Sequence, residues 1–140
     1  MFKNTCLALF ATAVLATGNA YAACANLNIN SSGAGVTAQS QAVVYGPYNI
    51  TCAGPQNFTF QDLSATNSNN TIKHIFEKQN GSTWTVVSSS TSTGAASVTK
   101  SFFISTNGTY RYRIENAGTS TIANWTMSGR ITLFTIPGTF

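Results

Sequence analysis

From Tyr110 to Glu115 the chain alternates without a break. Tyr110, Tyr112 and Ile114 share one parity, and Arg111, Arg113 and Glu115 share the other. Residues two apart lie on one face only in an extended strand, so this run excludes an amphipathic helix. The same period recurs upstream. Val36, Ala38, Ala42 and Val44 fall opposite Thr37, Gln39 and Gln41, and Gly46-Pro47 is expected to end that run. Tyr48, Ile50 and Cys52 open the next, and Ala53-Gly54-Pro55 reads as a turn ahead of Phe58 and Phe60. The segment 67–70 is a polar loop. A strand over Ile72–Phe76 then runs into Asn80-Gly81-Ser82, a hairpin signal because Asn and Gly accept the positive φ such turns need.

Trp84 and Val86 begin the return strand, and the Ser/Thr/Gly/Ala stretch over 88–97 reads as either a loop or a solvent-facing edge. Phe102 and Ile104 start another strand, closed by Asn107-Gly108. A last one after Asn116-Ala117-Gly118 carries Trp125, Met127, Ile131 and Leu133 on one parity. Seven or eight short strands spaced about ten residues apart predict a single all-β domain, an antiparallel β-sandwich over residues 23–140. The segment 107–118 (Asn-Gly-Thr-Tyr-Arg-Tyr-Arg-Ile-Glu-Asn-Ala-Gly) resembles the late F strand of immunoglobulin-like domains. That resemblance implies an immunoglobulin-like or fibronectin-like sandwich with Tyr110 as the corner tyrosine, tied by its hydroxyl to upstream backbone. Tyr112 stands where that family has its second core cysteine.

The first 22 residues have the plan of a secretory signal peptide. Lys3 supplies the positive start, residues 6–16 an apolar run, and Ala20-Tyr21-Ala22 a small-x-small cleavage site. The apolar run is shorter than the about 20 residues a membrane-spanning helix needs, and no later stretch reaches that length. The protein is therefore expected to be exported, either secreted or periplasmic, and without a transmembrane segment. Cys6 leaves with the signal. Cys24 and Cys52 remain, and an even pair in an exported chain reads as one disulfide. The alternative is lipidation of Cys24, because Tyr21-Ala22-Ala23-Cys24 loosely resembles a bacterial lipobox.

Charge is scarce: seven Lys plus Arg, three Asp plus Glu and one His, against 50 Ser, Thr and Asn in 140 residues. Asp62, Glu77 and Glu115 are too few and too scattered to suggest the paired carboxylates of a hydrolase. His74 shares its parity with Ile72 and Phe76, which assigns it to the core. No metal-ligand spacing and no cofactor motif appears, so no catalytic residue is assigned and the chain is expected not to be an enzyme. Lys73, Lys78, Lys100, Arg111, Arg113 and Arg130 form no run, which argues against nucleic acid. Tyr45, Tyr48, Trp84 and Trp125 are the candidate ligand-binding aromatics, able to offer flat rings to a sugar.

These features suggest an exported, non-catalytic binding module that meets a protein or glycan partner at the cell surface or in the periplasm. Self-assembly is a second reading. The early disulfide and the alternating C-terminal strand resemble chaperone–usher pilins, which implies a structural subunit of a surface fibre, although Pro137 and Thr139 stand where those pilins end on a penultimate tyrosine. A secreted enzyme inhibitor is the third.

Overall fold

The computed structural model describes residues 24–134, so the signal-peptide assignment over 1–22 and the terminal residues Pro137, Thr139 and Phe140 lie outside the described residues. Eight strands account for most of the chain. They are β1 (Cys24–Val36), β2 (Gln41–Ile50), β3 (Gly54–Asp62), β4 (Thr71–Asn80), β5 (Thr83–Thr93), β6 (Ser97–Ile104), β7 (Gly108–Asn116) and β8 (Ile122–Phe134). A single 3-10 turn over Asn67–Asn69 interrupts them. Two four-stranded antiparallel sheets result, ordered β1-β8-β3-β6 and β2-β7-β4-β5.

The all-β antiparallel sandwich and its disulfide agree with the sequence; the immunoglobulin-like connectivity does not. An immunoglobulin sandwich pairs its first two strands with each other, whereas β1 pairs with β8, β2 with β7 and β3 with β6 and β8. This nested order is the double Greek key of a jelly roll. Alternation along a strand fixes which face is buried and is silent on which strand lies alongside, so the two topologies share one sequence pattern.

Three local expectations also change. The run from Val36 to Val44 is two strands, separated by a turn in which Gln39 takes φ 60° and Ser40 donates its backbone N–H to the Thr37 carbonyl. β2 passes through Gly46-Pro47, a cis peptide, with register shifts on either side of Tyr45. Gly54 and Pro55 open β3 instead of forming a turn. The hairpin at Asn80-Gly81-Ser82 forms as its residues require, with Gly81 at φ 62°. The Ser-rich stretch after it continues β5 to Thr93 as the edge of its sheet.

The inward parities of both sheets meet in one aromatic core. Phe58 is at its centre, with ring centroids 4.7 Å from Tyr112 and 6.0 Å from both Phe76 and Phe102. Phe76 stacks on Phe102 at 5.0 Å, and Ile50, Ile104, Ile114, Ile122, Met127 and Ile131 fill the remainder. Near the end of β1 the Trp125 ring lies directly over Gly33, whose missing side chain leaves the space that the indole occupies. Cys24 and Cys52 are joined with Cα atoms 5.9 Å apart, tying the start of β1 to the loop after β2. A thiol bonded in this way is not available for acylation, which overturns the lipidation alternative for Cys24.

Candidate functional site

Each sheet turns one face outward, and the two faces differ in kind. On the β2-β7-β4-β5 sheet the outward residues knit into one ionic network. Glu77 of β4 lies across from Arg111 of β7, and its carboxylate accepts hydrogen bonds from Arg111 Nε at 2.7 Å and Arg113 Nε at 2.8 Å. Arg113 Nη1 donates to Gln41 of β2 at 2.7 Å and approaches Glu115 at 3.8 Å. The Arg111 guanidinium lies 4.1 Å from the centre of the Trp84 ring on β5. Burial pushes the Glu77 carboxyl up, but the hydrogen bonds from Arg113 and Arg111 outweigh it and hold its pKa below the ordinary range. The network spans all four strands.

Its value is testable. Glu77→Gln keeps the shape, removes the charge and leaves two guanidinium groups facing each other. Fully buried pairs cost more, but both arginines keep some solvent, so a loss of about 2 kcal/mol is expected in urea denaturation. A loss under a few tenths would show the network to be ornamental to stability.

The four candidate aromatics do not converge on one platform. Trp125 shares its parity with Met127 and Ile131, is 4% exposed and stacks on Phe60 at 5.7 Å, so it belongs to the core and not to a surface platform. Trp84 is half-buried with Arg111 on its ring. Tyr45 and Tyr48 pair at 5.2 Å, half-buried against the core, and burial pushes the Tyr48 phenol above its ordinary range. Tyr110 is buried, and its hydroxyl donates to the Thr106 carbonyl four residues upstream at 2.6 Å, with Lys78 over its ring. That is the geometry of a corner tie, formed in a jelly roll.

His74 is fully buried between two hydroxyls, with Nδ1 2.6 Å from Tyr112 Oη and Nε2 2.8 Å from Ser92 Oγ. A neutral imidazole offers one donor and one acceptor, which both hydroxyls can match. Asp62 is likewise committed, to the backbone N–H of Ser64 and the amide of Asn70. Among the described residues no group of three or more His, Cys, Asp or Glu is placed to hold a metal ion, and no helix is long and apolar enough to cross a membrane.

The outer face of the β1-β8-β3-β6 sheet is a grid of uncharged polar side chains. Register sets its rows: Asn30, Ser128, Thr59 and Thr99 across one, and Asn28, Arg130, Asn57 and Ser101 across the next. Arg130 is the one charge in these two rows. The small Ser128 and Gly129 sit between longer amides, forming a shallow groove of about 450 Å³. Phe103 ends the outward row of β6 and is 70% exposed, more than any other large apolar side chain among the described residues.

No family model and no curated protein matches the chain. Two solved structures resemble it. One is a mitogen derived from Yersinia pseudotuberculosis, at 11% identity and a TM-score of 0.46, over 85% of this chain and 91% of that one. The other belongs to Bacillus endospore appendages, described as a novel family of disulfide-linked pili, at 16% identity and a TM-score of 0.48, over 92% of this chain and 99% of that one.

The two outward faces differ in how far a linear reading reaches them. Glu77 and the two arginines are more than 30 residues apart, and only the β4–β7 register brings them together. Phe103 was legible, because it lies between the inward Phe102 and Ile104 and must therefore point out.

Proposed function

We propose that the protein is an exported, non-catalytic interaction module that works by association at the cell exterior, and that its main partner is another copy of itself. The observation that supports this is the unequal treatment of its four sheet edges. An edge strand offers unpaired N–H and C=O groups to any other strand, and proteins that stay monomeric block it with proline, bulges or charge. β2 is interrupted by Pro47 and two register shifts, and β6 carries an inward-parity lysine, Lys100. β1 and β5 carry neither a charge nor a proline. The one irregularity of β5 lies at Val87, so 88–93 is a regular edge of Ser and Thr. Among the described residues nothing covers either edge.

Their placement supports growth instead of closure. β1 packs beside β2 on one flank of the sandwich, whereas β5 and β6 form the other. A β1 edge added to the β5 edge of the next copy joins unlike surfaces, and such joints run on as filaments unless a rotation closes them. Donation of a strand, as in chaperone–usher pilins, is not needed for this. The alternating C-terminal strand β8 already lies inside its own sheet, between β1 and β3.

The test is the association state of the mature chain. Light scattering and electron microscopy should show mass rising with concentration. Ser89→Glu with Thr91→Glu puts charge at two exposed positions of β5, opposite Ile75 and Lys73 on β4. That variant should need at least tenfold more protein to associate. A wild-type chain that stays monomeric at every attainable concentration would overturn the proposal.

A further inference from the structure

The neutral face opposite the ionic network is a separate matter, and we infer that it is a binding site for an uncharged, extended glycan. Three observations converge on it. The amides of Asn28, Asn30 and Asn57 border the groove over Ser128, and among the described residues none of the three makes a hydrogen bond as a side-chain donor or acceptor. The other face is different, since there Glu77, Arg111, Arg113 and Gln41 bond one another. Phe103 stands in solvent one diagonal step from Asn57, through the Pro55–Phe103 and Asn57–Ser101 pairs, a reach of about 7 Å. An apolar ring 70% exposed, on a face otherwise made of amides and hydroxyls, has no packing role to explain it.

The chemistry of this surface selects its occupant. A nucleic acid needs a basic stripe, and the two central rows hold only Arg130. A protein partner wants an apolar centre ringed by polar groups, and here the groove centre is Ser128 and Gly129, with the one ring at the end. A sugar chain presents hydroxyls around its rim and apolar C–H groups on its flat sides. Amides that both donate and accept suit the first, and Phe103 suits the second. Arg130, planar and with paired donors, can span two adjacent hydroxyls. The groove is shallow and crosses β1, β8 and β3, strands about 4.8 Å apart, so it fits a straight ribbon lying across them better than a branched or coiled chain. The site thus points to unbranched β-linked neutral glycans.

The inference is independent of self-association, and the experiment separates the two by using the Ser89→Glu/Thr91→Glu variant as the parent protein. Cellohexaose, chitohexaose and xylohexaose are titrated calorimetrically, with polygalacturonate as the acidic comparator. Saturable binding of at least one neutral hexasaccharide is expected. Phe103→Ala should weaken it tenfold or more, and Asn57→Ala or Arg130→Gln about fivefold. Val86→Ser, on the far sheet, should leave it unchanged. Because Phe103, Asn57 and Arg130 point to solvent, far-UV dichroism can verify that each variant stays folded. Absence of binding to all three neutral probes overturns the inference. So does binding that Phe103→Ala leaves intact, or a preference for polygalacturonate.

Discussion

Acidification from pH 7 to pH 4 is expected to remove about 3 kcal/mol of stability through His74 alone. Burial, aided by the nearby Lys100, lowers its pKa to about 4, against an ordinary value of 6.5. Between those two values the unfolded chain binds a proton that the folded chain refuses, so stability falls as pH falls. The contribution is complete above about pH 6.5 and is lost progressively as pH drops toward 4. The slope reaches about 1.4 kcal/mol per pH unit at most. Glu77 acts in the same direction, but only below its ordinary carboxylate range, because its pKa is depressed. The interval from pH 6.5 to 4.5 therefore reports His74. Urea denaturation across that interval should show the slope in the wild type and a nearly flat profile in His74→Gln, whatever stability that variant loses at neutral pH. An unchanged slope in His74→Gln would place the titrating group elsewhere.

The second large effect is covalent. Cys24 and Cys52 are 28 residues apart, and cross-linking them restricts the unfolded chain by about 3.5 kcal/mol on a loop-entropy basis. The double substitution Cys24→Ser/Cys52→Ser should lower stability by about that amount, read from the fall in urea midpoint, with a somewhat steeper slope as the unfolded chain expands. A native-like dichroism spectrum is expected to survive, because the aromatic core around Phe58 and Tyr112 owes nothing to the bond. Should the double variant match the wild type, the loop from β1 through β2 is already ordered in the unfolded ensemble. Combined with acid, the loss should approach the sum of the two effects. No direct contact links the disulfide to His74, and independent sites add.

The sequence shows the strands better than it shows their neighbours. Period-two patterns mark β3, β4, β7 and β8 because each buries one face against large apolar groups. β1 is harder to see, since its inward row is Leu27, Ile29, Ser31 and Gly33, and only Ile29 is buried. Edge position explains that weakness: an edge strand has less core to face. The same holds for 88–93, where serines on the inward parity pair with His74 instead of with carbon. Topology is legible only where the chain turns back on itself, at Asn80-Gly81-Ser82. Every other pairing joins distant segments, and nothing local distinguishes a jelly roll from an immunoglobulin sandwich. The candidate sites divide along the same line. Phe103 and the uncharged face follow from parity, whereas the Glu77 network exists only through register.

The pairing of β1 with β8 also limits the order in which the strands can pair. Among the described residues the first strand, at Cys24–Val36, finds its only ladder partner in the last, at Ile122–Phe134. β2 waits similarly for β7, and β3 for β6 and β8. A chain folding from its amino-terminal side can close the β4–β5 hairpin early, but the β2-β7-β4-β5 sheet is complete only with β7 and the β1-β8-β3-β6 sheet only with β8. Such long-range closure folds slowly. Cys24 and Cys52 flank β1 and β2, so they can be joined before β7 or β8 is available. A covalent link made at that stage leaves the sandwich to assemble around a loop already tied.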